Sequence, residues 1–296
     1  MCGENPLNSL FFWFETDMSD SHYFSDGKPV HRLSYCAFLD VLGFSARVGA
    51  SYKDQTHNEL LERFHGILAR SIATLKDTRD EYSMLYFKSF TDNVVLAHPR
   101  YSSDMEAEFG AILDVINEYQ LKMALDGFFI RGGLAVGQLF IDDNSAYGAA
   151  LIEAYRLESS IAVNPVVVLC DNTMRLVDEH IRYYAGESAP QHQDVLKGPD
   201  GRYFLNYLTA CAVGDDFGEL HLDVTSLRRH KEQIEASLQA YATVPAVFAK
   251  FAWLASYHNY FCDTVSGHPH YDPALKVSSA LTATQFSRLS KKKRKK

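Results

Sequence analysis

The chain has 296 residues, of which 47% are hydrophobic and 22% charged, as in an ordinary globular protein with one large domain or a core domain plus an extension. The formal net charge is −8, and because the last six residues, KKKRKK, contribute +6, the rest carries −14. An acidic body argues against a general basic surface for nucleic acid, so we expect no nucleic-acid partner. An anionic ligand would need local cations or metal ions.

The five cysteines are scattered along the chain, odd in number and without CxxC spacing. This pattern favours reduced thiols and a cytoplasmic location over a disulfide framework or a zinc site. The N-terminal run LFFWF has no basic segment before it and is not typical of a signal peptide. No apolar run approaches the roughly 20 residues that span a bilayer, so we expect no transmembrane segment.

The first half of the chain predicts alternating strands and helices after a polar lead-in segment. Apolar residues from 33 to 42 predict a buried strand, and Phe64, Leu68 and Ile72 have the spacing of an amphipathic helix over 57–76. The runs "YSMLYFKSF" and "NVVLAH" predict two strands joined tightly around Thr91 and Asp92. A helix is predicted over 104–125.

The segment "GFFIRGGLAVGQLFI" predicts a strand that contains Gly132 and Gly133. Paired glycines inside a strand indicate a bulge or kink, or a place where a ligand or another backbone comes close. The segment is not a phosphate loop, because the GK[ST] ending is missing. A helix over 146–160, the buried strand "PVVVLC" and a helix over 171–183 are predicted next.

This order of elements predicts an α/β fold, an α+β sandwich in which helices cover one face of a mixed sheet, with a C-terminal helical extension. A surface loop is predicted over 185–201, a short strand over 203–208 and helices over 225–264. The predicted units are a lead-in segment (1–30), a core (31–185), a strand and helical extension (186–290) and a basic tail (291–296).

Two aspartates lie inside otherwise apolar runs, Asp40 in "SYCAFLDVLGFSARV" and Asp92 in "LYFKSFTDNVVLAH". A buried carboxylate is costly unless it is paired or binds a metal. If the first strand lies beside the hairpin, both carboxylates reach the same end of the sheet, where two hard oxygen ligands suit Mg²⁺ or Mn²⁺. The alternative is that one acid caps a turn and the other pairs with Lys88 or Arg47.

Three motifs resemble those of the class III nucleotidyl cyclases, in the right order over residues 33–183. "AFLDVLGFS" is similar to the first metal motif, D-[IV]-x-G-F-[ST], and "KSFTD" to the second acid in its hairpin. "IRGGLAVGQL" with "YGAALIEAYRLES" resembles the later strand and helix of the family. Within it, the chain looks most like the bacterial Pycsar pyrimidine cyclases, which make cyclic CMP or cyclic UMP as an anti-phage signal.

The resemblance implies a role for each matching residue. Asp40 and Asp92 would hold two divalent ions, Mn²⁺ or Mg²⁺, with the carbonyl of Val41 as a further ligand. Arg156 matches the arginine that stabilises the transition state. Lys88 matches a base-contacting position.

Ser145 matches the second base-contacting position. The backbone N–H groups of Leu42, Gly43 and Phe44 would help to hold the triphosphate if a helix starts there. In the family the metal acids and the arginine come from opposite subunits, so a homodimer with shared sites is implied.

Three positions depart from the family pattern. Ile152 replaces the asparagine that contacts the ribose, and Thr91 replaces a glycine before the second acid. Ser145 lacks the carboxylate that accepts the adenine amino group.

The leading interpretation is therefore a uridylate cyclase whose cyclic UMP acts on a separate cyclic-nucleotide-sensing effector. A cytidylate cyclase using CTP, an adenylate or other purine cyclase, and an inactive module for binding or dimerisation remain alternatives.

Overall fold

The computed structural model describes residues 22–77, 84–214, 219–278 and 285–290. Most of the predicted lead-in segment and the whole basic tail lie outside these residues. The strands are β1 (Phe24–Ser25), β2 (Lys28–Pro29), β3 (Arg32–Val41), β4 (Tyr86–Phe90), β5 (Asn93–Pro99), β6 (Ile130–Ile141), β7 (Ala146–Gly148), β8 (Val167–Leu169), β9 (Val195–Lys197), β10 (Tyr203–Leu205), β11 (Ala212–Gly214), β12 (Leu220–Leu222) and β13 (Ser287–Arg288). The helices are α1 (Phe44–Lys53), α2 (His57–Asp77), α3 (Glu106–Leu125), α4 (Ala149–Ser160), α5 (Asp171–Tyr183), α6 (Gln191–Asp194), α7 (Val224–Ala240) and α8 (Pro245–Thr264).

The centre of the fold is a mixed sheet with strand order β13-β9-β10-β8-β6-β3-β5-β4, and β7 pairs with the far end of β6. The β6–β8 pair is parallel, and the other pairs in this sheet are antiparallel. β3 pairs with β6 over its whole length, from Arg32 opposite Leu139 to Val41 opposite Ile130. The predicted α/β class is confirmed.

Helices cover both faces of this sheet, so the expectation that they cover one face is wrong. Alternate residues of β3 enter two separate cores: Cys36 and Phe38 pack on one side with α4, α7 and α8, and Tyr35 and Leu39 on the other with α2, α3 and α5. A strand that is buried on both faces carries a continuous apolar run instead of alternating, as β3 does from Tyr35 to Leu39. Asp40 therefore interrupts a fully buried strand on the side of α4.

The two strand glycines are places of close backbone approach, as the sequence indicates. A Cβ on Gly133 would lie 2.3 Å from Cβ of Leu157 and 2.5 Å from the carbonyl oxygen of Ala154, both in α4. A Cβ on Gly132 would lie 2.6 Å from the carbonyl oxygen of Phe38 in β3. Helix α4 thus rests directly on β6 because glycine leaves room for it.

The sequence leaves open whether a loop or a helix follows β3, and the structure has a helix, α1. It begins after a turn in which Gly43 adopts φ 74°, a left-handed conformation that glycine adopts at no steric cost. Residues 146–148, predicted as the start of a helix, form strand β7 instead, and α4 begins at Ala149. Strand β7, with three residues, is too short for a hydrophobic period to reveal it.

The C-terminal extension is tied to the sheet by strands and by buried polar contacts. β9, β10 and β13 continue the central sheet, and α8 packs its Trp253 and Tyr257 rings against Phe204 of β10. Between α7 and α8, Nδ1 of His230 and Nδ1 of His258 are 2.9 Å apart, and both side chains are fully buried. Within the described residues, no helix is both long and apolar enough to cross a membrane.

We predict that Gly133→Ala destabilises the protein by about 3 kcal/mol, because the added methyl group overlaps a carbonyl oxygen that cannot move without shifting α4. Gly110→Ala in α3 is the matched control, since no atom lies within 4 Å of its added Cβ. This change should stabilise by roughly 0.5–1 kcal/mol, the usual gain at a helical glycine. Urea unfolding of both variants measures the difference, and equal stabilities would contradict the close approach.

Candidate functional site

Asp40 and Asp92 come together at one end of the central sheet. Asp40 is the next-to-last residue of β3, and Asp92 lies in the two-residue turn between β4 and β5, with β5 paired to β3. The charge of the Asp92 carboxylate helps to raise the pKa of Asp40, so the two carboxyl groups are neighbours at this end of the sheet. The hairpin thus brings the second acid to the first, as the sequence predicts.

Two residues that the sequence reasoning missed complete this cluster. Arg131 is directly opposite Asp40 in the β3–β6 ladder, and its Nε lies 3.2 Å from Oδ2 of Asp40. Nη2 of Arg131 lies 2.7 Å from Oε1 of Glu158 in α4, a side chain that is only 5% exposed. A signal was present, because an arginine inside the apolar run of β6 is the same anomaly as Asp40.

The electrostatics of the cluster are those of several acids sharing too few cations. Burial, then the charges of Asp92 and Glu158, raise the pKa of Asp40 to about 7, while Arg131 acts in the opposite direction. Burial also raises the pKa of Glu158, against the effect of Arg131. A further positive charge at this place would therefore be stabilised by the acids.

Asp40 and Asp92 are suited to hold a divalent ion, although the protein supplies few ligands. Among the described residues, no three His, Cys, Asp or Glu side chains are grouped so as to hold a metal. A pair of carboxylates with water and substrate oxygens is the usual coordination of Mg²⁺, so the donor set fits this ion or Mn²⁺. The predicted carbonyl ligand, Val41, ends β3 beside this pair. N–H of Leu42 donates to the carbonyl of Phe129, the residue before β6, so the Val41 carbonyl points the opposite way, towards the hairpin.

Helix α1 begins next to the acids. The predicted nucleotide-binding residues Leu42, Gly43 and Phe44 form the turn between β3 and α1, and Gly43, the N-cap, offers no side chain to the first N–H groups of the helix. The Phe44 ring packs at a tilt against the ring of Phe64 in α2, with 4.4 Å between centroids, at the start of α1. Free N–H groups at a helix N-terminus can bind phosphate oxygens.

The two predicted base-contacting residues are linked through Asp142. Oδ1 of Asp142 accepts hydrogen bonds from N of Ser145 at 2.7 Å, from N of Asn144 at 2.9 Å and from the Ser145 hydroxyl at 3.2 Å. Burial alone would raise the pKa of Asp142, but these hydrogen bonds, together with the charge of Lys88, hold it below its ordinary value. Asp142 was not among the predicted site residues.

Arg156 lies apart from the acidic pair within one chain. It is exposed on α4, where Nε and Nη2 contact the carboxylate of Glu153 at 2.8 and 2.7 Å. It lines a cavity of about 660 Å³ together with Asp171, Asn172 and Arg202. Ile152 is 68% exposed on the same helix.

The turn that carries Asp92 is strained at the residue before it. Thr91 adopts φ 55°, in the left-handed region that β-branched residues rarely occupy. Its hydroxyl donates to the carbonyl of Phe90 at 2.6 Å and accepts from Nδ2 of Asn93 at 3.0 Å. These bonds hold a conformation for which the family uses glycine.

This chain resembles solved structures, whereas its sequence has no match among family models or curated proteins. The crystal structure of the guanylyl cyclase Cya2 is similar to this chain with a TM-score of 0.41 and 14% identical residues, over 65% of this chain and 98% of that one. The likeness concerns the path of the chain only.

Proposed function

We propose that the protein is a metal-dependent nucleotidyl cyclase that converts UTP to 3′,5′-cyclic UMP and pyrophosphate. The observation that carries the proposal is the meeting of Asp40 and Asp92 at the end of β3, beside the start of α1. By the resemblance to the Pycsar cyclases, the product would serve as an anti-phage messenger for a separate effector.

Each residue then has a defined part in the reaction. Asp40 and Asp92, with the carbonyl of Val41, would bind two divalent ions, and the N–H groups at the start of α1 would hold the triphosphate. Bound ions of this kind acidify the ribose 3′-hydroxyl and neutralise phosphate charge. Arg156 would donate to the α-phosphate as negative charge builds in the transition state.

A second copy of the chain would complete the site. Arg156 and the acidic pair lie in different places on one chain, which supports a homodimer in which each supplies one part. Apolar side chains exposed near the acids support the same arrangement: Phe90 and Tyr155 are 53% and 54% exposed, and both rings contact Phe38. Such a patch favours association with another protein surface.

Uracil is the proposed base because Lys88 has only donors to offer. An ammonium group can satisfy a carbonyl oxygen, such as O4 of uracil, but not the amino group that cytosine has there. One observation favours cytosine instead: the Ser145 hydroxyl donates to Asp142 and so presents its lone pairs to a ligand. A cytidylate cyclase is therefore the second candidate.

We predict that Asp40→Ala and Asp92→Ala each lower turnover about 1,000-fold or more while the fold remains intact, because each removes a metal ligand. Asp54→Ala, at an exposed aspartate after α1, is the control and should keep full activity. Cyclic product formed from each nucleoside triphosphate with Mn²⁺ is the measurement. Near-normal activity of either site variant would refute the metal assignment, and an inactive wild type would favour a binding module.

A mixture of the inactive Asp92→Ala and Arg156→Ala proteins should regain activity. Each mixed dimer contains one site with both groups intact, since the two substitutions fall together in the other site. Activity is measured after subunit exchange has been established by mass spectrometry. If exchange is complete and activity stays absent, the shared site is wrong.

With equal UTP and CTP, we expect cyclic UMP to predominate, and Lys88→Gln to reduce this preference about ten-fold. A mismatched buried donor costs roughly 1–3 kcal/mol, and glutamine can either donate or accept. Mass spectrometry of the products reads the ratio. Predominant cyclic CMP would assign the base-reading role to Ser145, and a cyclic purine product would overturn the pyrimidine assignment.

A further inference from the structure

Arg131 occupies the middle of the acidic cluster and is fixed there from two sides. Its backbone belongs to the central strand β6, directly opposite Asp40, and its guanidinium lies 2.7 Å from the nearly buried carboxylate of Glu158. Its Nε then lies 3.2 Å from Oδ2 of Asp40. A guanidinium with five donors in a rigid plane can keep both contacts at once, which a lysine could not.

The Glu158 contact is an anchor for Arg131. Among the described residues, Arg131 is the cation paired with the nearly buried Glu158 carboxylate, and removing it would be strongly destabilising. Arg131 is therefore held more firmly by Glu158 than by Asp40, whose side chain is 17% exposed. α4, which carries Glu158, rests on Gly133 two residues further along β6. The position of the guanidinium is therefore set by the fold.

A second cation extends this arrangement towards the C-terminal extension. Lys250 of α8 is close enough for its pKa to be lowered, first by burial and then by the charge of Arg131. Around Arg131 there are thus three carboxyl groups, those of Asp40, Asp92 and Glu158, and one further cation. Arg131 already supplies, in the chain itself, part of the positive charge that a bound ion would bring.

We propose that Arg131 is a built-in counter-cation that holds Asp40 in place before metal binds and weakens the binding of free divalent ions. The inference rests on the metal site of the proposed function. A single positive charge a few ångströms away repels a divalent ion, whereas a metal–triphosphate complex carries net negative charge and is not repelled. Metal would therefore bind well only together with the nucleotide.

The test measures Mn²⁺ binding to nucleotide-free protein by electron paramagnetic resonance. The variant Arg131→Gln/Glu158→Gln removes the cation and its anchor together, so that the nearly buried Glu158 carboxylate is not left without its partner. We expect it to bind Mn²⁺ about ten-fold more tightly than wild type, or tighter still. With a non-reactive nucleoside triphosphate analogue present, the affinities of the two proteins should converge.

Two control variants separate charge from other causes. Arg229→Gln/Glu232→Gln makes the same change at an exposed ion pair in α7, with 3.6 Å between Nη1 and Oε2, and should leave Mn²⁺ affinity unchanged. Arg131→Lys keeps the positive charge but lacks the planar guanidinium, and its affinity for Mn²⁺ should stay within about three-fold of wild type. Circular dichroism and thermal melting establish that each variant is folded. If the double variant unfolds, the test uses the other two proteins. The analogue should tighten Mn²⁺ binding to wild type, and it should do the same for Arg131→Lys.

The outcomes distinguish this inference from the proposed function. Unchanged or weaker Mn²⁺ binding in the double variant, or equal tightening in Arg131→Lys, overturns the role of Arg131 while the metal site stands. Strong Mn²⁺ binding to nucleotide-free wild type, with no gain from the analogue, overturns it as well. Mn²⁺ binding that Asp92→Asn does not weaken would remove the metal site itself, and the inference with it.

Discussion

The ion pair between Asp40 and Arg131 makes it possible for a carboxylate to lie in the central strand of a sheet buried on both faces. The two residues are opposite each other in the ladder, so the pair needs no long side chain to reach across the fold. Without a cation at that place, burial and the nearby acids would drive Asp40 towards its neutral form. The acidic end of the sheet depends on this contact.

The remaining elements can be understood as positioning groups around that pair. The tight turn between β4 and β5 carries Asp92, and the strained backbone of Thr91 keeps it short. Helix α4 lies against Gly133, and this close contact directs Glu158 towards Arg131 and leaves Arg156 on the outer surface. Helix α4 therefore contributes Glu158 to the acidic cluster and Arg156 to a separate cavity.

Much of this could be predicted from the sequence because the signals were local. Asp40 and Asp92 interrupted apolar runs, and the strand glycines indicated a close approach that α4 makes. The second helical layer was missed although a signal was present, since the continuous apolar run of β3 indicates a strand covered on both faces. Arg131 and Glu158 were missed because their meeting depends on strand register and helix placement, which no spacing within one segment encodes. The roles of Lys88, Ser145 and Arg156 remain predictions.

The register of β3 against β6 also determines which genetic changes the site can survive. Successive side chains of a strand point to opposite faces, so inserting or deleting one residue in either strand would place Gly132 or Ile130 opposite Asp40 in place of Arg131. Substitutions on the outer helices can accumulate one at a time, whereas a change of length in these two strands moves the acid, its cation and the glycine contact together. Over evolution, relatives of this chain should differ in length in the loops around α7 and α8, and keep β3 and β6 free of insertions.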